Sequence, residues 1–384
     1  MPAAARSPLL HWTALVPLVG VVVLAATWSS KHPAWPVLVV VGACLAGAVP
    51  AAVHHAEVVA HRVGEPYGAL VLAVAVTVIE VGLIVMLMVT GDSDTSTLAR
   101  DTVFAAVMIT CNGILGLSLL VGALRRGTAT FNAEGTASAL ATVLTLATLS
   151  LVVPRFTTSE PGPEFSGEQL AFAAVASLGL YILFVFVQTI RHPDIYQPVE
   201  AGEDRQARAH GEAGGDADLV ADRDEADDEH RPTTREAVFS LGLLFVALVA
   251  VVGLAKIETP AIEDAVSSIG APPSAVGVVI ALLVLAPEAV TAVRNARRSR
   301  MQVSINLALG SAMASIGLTI PAIAIATIWL DGPLVLGLGS TQIVLLAITA
   351  VVGALTVLPG RATVQEGGVH LALLAAFLFL AVNP

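Results

Sequence analysis

The stretch 76-VTVIEVGLIVMLMV-89 places one carboxylate, Glu80, in the middle of about twenty apolar residues that run from Ala69 to Val89. Coiled as a helix, about 20 such residues cover the ~30 Å of hydrocarbon in a bilayer. The stretch therefore reads as a membrane-spanning helix with a single ionisable group at its centre.

The rest of the chain repeats the pattern. Its 384 residues are 56% hydrophobic and 13% charged, and the mean hydropathy of +0.83 lies far outside the range of a soluble domain. Further apolar runs fall at 9 to 28, 35 to 54, 67 to 89, 102 to 124, 136 to 154, 168 to 189, 236 to 255, 272 to 294, 302 to 329, 333 to 358 and 367 to 382. They are too long and too evenly apolar for barrel strands, and hydrocarbon admits only helices or closed barrels. The expected fold is an all-α membrane protein with about eleven transmembrane helices. The first run follows Arg6 but is longer than the apolar core of a signal peptide, so it counts as a helix. Cys44 and Cys111 both fall inside apolar runs and read as small core residues rather than a disulfide framework.

Residues 194 to 235 break the pattern: thirteen acids against five arginines carry −8 of the formal net charge of −11. Without apolar periodicity, this segment reads as a solvated, disordered linker. Within it, 222-DRDEADDEHR-231 raises the thought of a low-affinity calcium sensor, but the spacing of an EF-hand loop is missing and a charge run is usually only solvated. Six runs precede the linker and five follow it. With the N-terminus inside, most basic residues of the short loops, among them Arg6, Arg62, Arg125, Arg126, Arg294 and Arg361, fall on the cytoplasmic side. Lys31, Arg100, Arg155 and Lys256 fall outside, the linker is cytoplasmic and the C-terminus is outside.

The two halves share a spacing. Glu57, Gly64 and Glu80 in the first half parallel Glu263, Gly270 and Glu288 in the second, and 109-ITCNGILGLSLLVGA-123 aligns with 310-GSAMASIGLTIPAIA-324, Thr110 opposite Ser311 and Gly116 opposite Gly317. A unit of five helices is odd in number, so two copies in one membrane have opposite topology. That is the plan of many secondary transporters, which bind substrate near the midplane where the repeats meet. The expected organisation is an N-terminal helix over 1–30, a first five-helix repeat over 31–193, the linker over 194–235 and a second repeat over 236–384.

A carboxylate at mid-membrane costs about 2.5 to 3.5 kcal/mol on insertion scales, so Glu80 and Glu288 need something to offset that cost. The plain alternative for each is a protonated acid hydrogen-bonded to a neighbouring helix. Two at matching places favour a shared site, in which the pair holds protons until a cation displaces them. Protons and cation then compete for the same oxygens. Calcium takes six to eight oxygen ligands, more than two carboxylates supply. Candidate further ligands are Thr77, on the same helix face as Glu80, and Thr110, Asn112, Asn306 and Ser311 on the following helices, although small polar residues also serve helix packing. Pro287 lacks an N–H and so frees the carbonyl of Leu283, a further candidate, though a kink is the plain reading of that proline. Glu57, near His54, His55 and His61, reads as an interfacial group or a gating or proton-entry residue. Glu258, Glu263 and Asp264 hold the related place outside, where they draw cations to the mouth.

The run 55-HAEVVAHRVGEPYGALVLAVAVTVIEVGLI-84 resembles the first alpha-repeat of the cation/calcium exchanger superfamily, and 286-APEAVTAVRNA-296 with 304-SINLALGSAMASIGLTIP-321 resembles the second. Within that superfamily the chain is most similar to bacterial calcium/proton antiporters that also exchange sodium or potassium. The resemblance implies that Glu80 and Glu288 each supply one acid to a central cation site, with Thr110, Ser311 and Asn306 as neighbouring polar groups. Many calcium/proton members carry Gly-Asn shortly before each acid, whereas Thr77-Val78-Ile79 and Leu285-Ala286-Pro287 stand here. Sodium and potassium therefore remain alternatives to calcium.

The expected function is secondary antiport of calcium against protons across an inner membrane by alternating access. No resident cofactor is expected, and the cargo is Ca2+, or Na+ or K+, together with H+. The expected partners are membrane lipid and inorganic cations, not nucleic acid. A monovalent cation/proton antiporter is the nearest alternative, and an intramembrane hydrolase using the two acids is a distant one.

Overall fold

The computed structural model describes residues 11–30, 33–64, 67–90, 96–198, 232–329 and 332–384. Eleven helices run through these described residues: α1 Trp12–Thr27, α2 Trp35–Val63, α3 Tyr67–Thr90, α4 Leu98–Arg126, α5 Ala133–Arg155, α6 Gly167–Arg191, α7 Thr234–Ser268, α8 Ser274–Arg297, α9 Met301–Ala326, α10 Ser340–Val357 and α11 Val364–Val382. Ten of them are long and apolar enough to cross a membrane, and α1 is a shorter apolar helix. Local chemistry sets their starts. Capping boxes open α6 (Ser166 with Gln169), α7 (Thr233 with Glu236) and α11 (Thr363 with Glu366), and α2 starts on a proline in its first turn.

Two helices outrun the apolar stretches that announce them. The sequence places α2 at 35 to 54 and α7 at 236 to 255, but they continue to Val63 and Ser268. Hydropathy falls at His54, His55, Lys256 and Glu258, yet nothing there stops the backbone ladder. It stops where a left-handed residue is needed, just past the end of each helix, at Gly64 (φ 77°) and Gly270 (φ 72°). The extension puts Glu57, Glu258 and Glu263 on helices. At about 1.5 Å per residue, α7 is ~52 Å long, more than the hydrocarbon is thick, so it tilts or projects. Conversely, α10 starts at Ser340 rather than 333, because the preceding extended segment hydrogen-bonds elsewhere: Val335 N–H to Ser96, Gly337 N–H to Pro163 and Leu338 N–H to Leu151.

The interior is divided into two apolar clusters. One is built from α4, α5, α6, α9, α10 and α11, the other from α1, α2, α3 and α7, and α8 contributes to both. α2 packs most extensively on α7, α6 on α9, and α11 on α4. The last helix of each half of the chain thus lies against the other half.

Contacts between loops sort the helix ends into two faces. On one, the strands β1 Ala129–Thr130 and β2 Arg361–Ala362 pair antiparallel, Arg62 donates to the Thr234 hydroxyl at 2.9 Å, and the Asn132 N–H donates to Gln302 at 2.7 Å. On the other, Glu164 bridges Val335 and Arg100 donates to the Gly337 carbonyl at 3.4 Å. The four tryptophans, Trp12, Trp28, Trp35 and Trp329, all lie at or just beyond helix ends with exposed rings, the placement expected at membrane–water interfaces.

Two glycines permit the swapped crossings. A Cβ on Gly116 of α4 would lie 2.7 Å from Cβ of His370 on α11, and one on Gly317 of α9 would lie 2.6 Å from Cβ of Tyr181 on α6. Leucine at either place forces the helices apart. Gly317→Leu is expected to lower the thermal midpoint of the detergent-purified protein by several degrees, or its yield severely, as read by size-exclusion chromatography after heating; unchanged stability would count against this packing.

Candidate functional site

Glu80 of α3 and Glu288 of α8 face the same cavity of about 320 Å³. The two helices run in opposite directions, since four crossings (α4 to α7) lie between them. Both side chains are withdrawn from solvent, at 5% and 8% exposure. α9 closes one wall with Asn306, Ser311 and Ser315, α6 supplies Tyr181, Phe184 and Gln188, and α2 supplies Glu57. The residues that continue the cavity away from the acids, Glu57, Leu72, Gln188, Thr291 and Val303, lie toward the face that carries β1 and β2. The cavity therefore reaches from mid-depth toward one face of the protein.

The two acids have unequal partners. Ser315 donates to Glu80 Oε1 at 2.6 Å, whereas Glu288 Oε2 is buried without a hydrogen-bond partner. Glu57 and Glu80 are both close enough to act electrostatically on Glu288. A carboxylate oxygen withdrawn from water and lacking a donor needs a proton or a cation. Among the described residues no group of three or more His, Cys, Asp and Glu side chains is set to hold a metal, so any cation here draws on two carboxylates plus neutral oxygens.

Of the residues singled out from the sequence, Glu80, Glu288, Thr77, Asn306, Ser311 and Glu57 line this cavity. Asn306 is already engaged at both ends, Oδ1 accepting from Gln302 at 2.8 Å and Nδ2 donating to the Tyr196 carbonyl at 2.7 Å. Thr110, Leu283 and Glu263 are not on the wall. Thr110 lies in a π-helical turn of α4, Ile109–Ile114, and donates back to the carbonyls of Ala106 and Val107 at 2.7 and 3.1 Å. Leu283 packs on the cluster of α1, α2, α3 and α7, while its neighbour Pro287 does reach the cavity. Glu263 lines a small cavity near the C-terminal end of α7 with Asp264 and Ser267. Asn112 faces elsewhere too, its Oδ1 accepting from His370 Nδ1 at 3.1 Å and its Nδ2 donating to Thr349 at 3.0 Å. His54 stacks near His11, and His55 meets the Thr13 carbonyl at 3.0 Å, so this histidine cluster ties α1 to α2.

Ser315, Tyr181 and Gln188 were not singled out. Ser315 sits four residues after Ser311, on the same helical face of the ridge 310-GSAMASIG-317, and that spacing was the available signal.

The family described as sodium/calcium exchanger protein matches residues 33–190 and 239–383. The chain belongs to this family. It is 41% identical over 384 residues to a putative ionic transporter, y4hA, of Sinorhizobium fredii, covering 99% of this chain and 98% of that protein. To the sodium-potassium/proton antiporter ChaA of Escherichia coli it is 32% identical over 368 residues, 95% of this chain and 94% of that one. The solved structure of native YfkE superposes with a TM-score of 0.70 at 14% identity, over 97% of this chain and 100% of that chain. The fold is thus that of a membrane exchanger, and the protein is a multi-pass secondary transporter of cations. Family membership sets aside the intramembrane hydrolase.

Removing the hydroxyl from Ser315 takes a charge-assisted hydrogen bond from Glu80, worth about 1.5 kcal/mol. Ser315→Ala is expected to weaken the apparent affinity for the transported cation about tenfold with normal yield, measured as KM in membrane vesicles; an unchanged KM would remove Ser315 from the site.

Proposed function

We propose that the protein exchanges calcium for protons, with Glu80 and Glu288 as the shared site. The observation that carries this reading is the meeting of two mid-membrane acids, on oppositely directed helices, at one cavity that reaches a single face. Two carboxylates are balanced either by protons or by one divalent cation, so loading one expels the other. Thr77, Ser311 and Ser315 offer neutral oxygens on the cavity wall, and Ser315 already meets Glu80 at 2.6 Å. Thr110 and the Leu283 carbonyl would need a rearrangement of α4 and α8 to join them. Glu57 stands between the acids and the face with β1 and β2, where it passes protons or cations inward; Glu263 has the corresponding place at the far end of α7.

The reading rests on two inverted five-helix repeats, 31–193 and 236–384, preceded by α1. Matched glycines support it: Gly64 and Gly270 end the first long helix of each repeat, and Gly116 and Gly317 seat the last helix of the opposite one. The basic residues of the short loops favour an orientation with the N-terminus and the face with β1 and β2 in the cytoplasm and the C-terminus outside, in a bacterial-type inner membrane. The acidic linker is then cytoplasmic; its residues 199–231, including the suggested calcium-sensing cluster, lie outside the described residues.

Sodium or potassium against protons is the second reading. It is favoured by the name of the 32% identical relative and by the residues just before the acids, Thr77-Val78-Ile79 and Leu285-Ala286-Pro287, which supply no side-chain amide oxygen.

In inverted vesicles energised with a proton gradient, calcium, sodium and potassium added in turn identify the cargo. Glu80→Gln and Glu288→Gln are each expected to reduce that exchange to the background of empty vesicles, and retained exchange would refute the shared site. Because protons compete for the same oxygens, acidifying the side from which the cation is loaded is expected to raise its KM and leave the rate at saturating cation less affected. A KM indifferent to pH over that range would separate proton binding from the cation site.

A further inference from the structure

The open cavity accounts for access from one face only, and the inverted repeat says where the other route lies. We propose that the cavity of about 240 Å³ beside Asp101 is the extracytoplasmic vestibule of the transport route, closed from Glu80 and Glu288 by the ring pair Phe104–Phe377. This rests on the exchange reading above.

The register comes from the swapped crossings. Gly116 abuts His370 as Gly317 abuts Tyr181, so α4 corresponds to α9 and α11 to α6. Carried along the helices, with one residue skipped for the π-helical turn of α4, Asp101 takes the place of Val303, Phe104 that of Asn306, and Phe377 that of Gln188. Val303, Asn306 and Gln188 line the open cavity. At the opposite face, Asp101 and Phe377 line the second cavity, with Arg100, Phe104, Ser340 and Gln342. Three corresponding helices are shared by the two linings, α9, α6 and α3 around one and α4, α11 and α8 around the other; α2 and α8 complete the first and α10 the second.

What differs is the space between each mouth and the acids. On the β1–β2 side it is open. On the other, Phe104 and Phe377 meet edge to face, ring centres 5.6 Å apart, at 0% and 5% exposure. An edge-to-face pair is tight enough to exclude water, yet it releases by rotation of one ring.

Asp101 gives the vestibule its chemistry. It is 3% exposed. Its Oδ1 accepts from Arg100 at 2.8 Å and from Gln342 at 3.3 Å, but its Oδ2 is buried without a partner. A carboxylate at the wall of a cavity with one oxygen unpartnered is a stop for a cation or a proton carrier once the site opens, and Arg100 beside it keeps that stop weak enough to leave.

The test is thiol accessibility in sealed cells, with Cys44 and Cys111 replaced by alanine and a membrane-impermeant cationic methanethiosulfonate as the probe. Ser340→Cys, in the vestibule, is expected to react from outside. Ala105→Cys, behind the rings, is expected to react slowly from outside and about tenfold faster when Phe377→Ala is added, with Phe104→Leu as a second way to loosen the pair. Val303→Cys, in the open cavity, is expected to react only from the cytoplasmic side in inverted vesicles. If neither ring substitution accelerates Ala105→Cys from outside while Val303→Cys behaves as stated, the route is refuted and the exchange reading stands. If the ring substitutions do accelerate it but no calcium, sodium or potassium exchange is found, the route stands and the exchange reading falls.

Discussion

Two carboxylates held at the middle of a hydrocarbon layer are the constraint to which the rest of the structure answers. Each alone costs about 2.5 to 3.5 kcal/mol on insertion scales, and among the described residues neither forms an ion pair with a basic side chain. Helices of opposite direction bring them to one cavity, a serine hydroxyl serves one of them, and glycines let the surrounding helices approach closely enough to enclose them. The acids sit on α3 and α8, which both join the two apolar clusters: α8 contributes to both, and α3 lies in one while Ile84 enters the other, as Leu98 of α4 does in reverse. The proposed site thus lies at the seam between the two clusters.

Much of this was legible from residue chemistry alone. A helix long enough to cross a membrane declares itself by length and composition, so the ten long helices were visible, while α1, expected to span 9 to 28, is a shorter apolar helix; a Glu in an apolar run stands out because burial there is expensive. The hidden parts were those where cost and composition say little. Lys256 and Glu258 lower hydropathy without breaking a helix, so α7 was read too short. Ser315 is one small residue in a ridge of small residues, and only the fold shows that its hydroxyl meets Glu80 while Thr110, an equally reasonable candidate, spends its own on the preceding turn. The tie of Asn306 to Gln302 and to the Tyr196 carbonyl joins segments far apart in sequence, and no spacing signals it.

The proposed repeat is also imperfect where it matters. In the register that sets Thr110 opposite Ser311, Ile114 stands where Ser315 does, and so Glu288 has no counterpart of the hydroxyl that Glu80 enjoys. Equivalence of the two acids, an attraction of the repeat as seen in sequence, does not extend to their surroundings. The hydrolase alternative is set aside by family membership, not by symmetry. An unequal pair has its own chemical logic: the acid with a donor is held in place, and the acid without one keeps an oxygen available.

The crossing of α6 onto α9 and of α11 onto α4, with β1 paired to β2, has a consequence for how the gene can change. The two halves clasp each other through the membrane and at its face, so the peptide connection between them is not what keeps them together. Insertions, deletions or even a chain break between residues 199 and 231 leave every one of those contacts intact. Two separately translated halves thus have the surfaces they need to find one another.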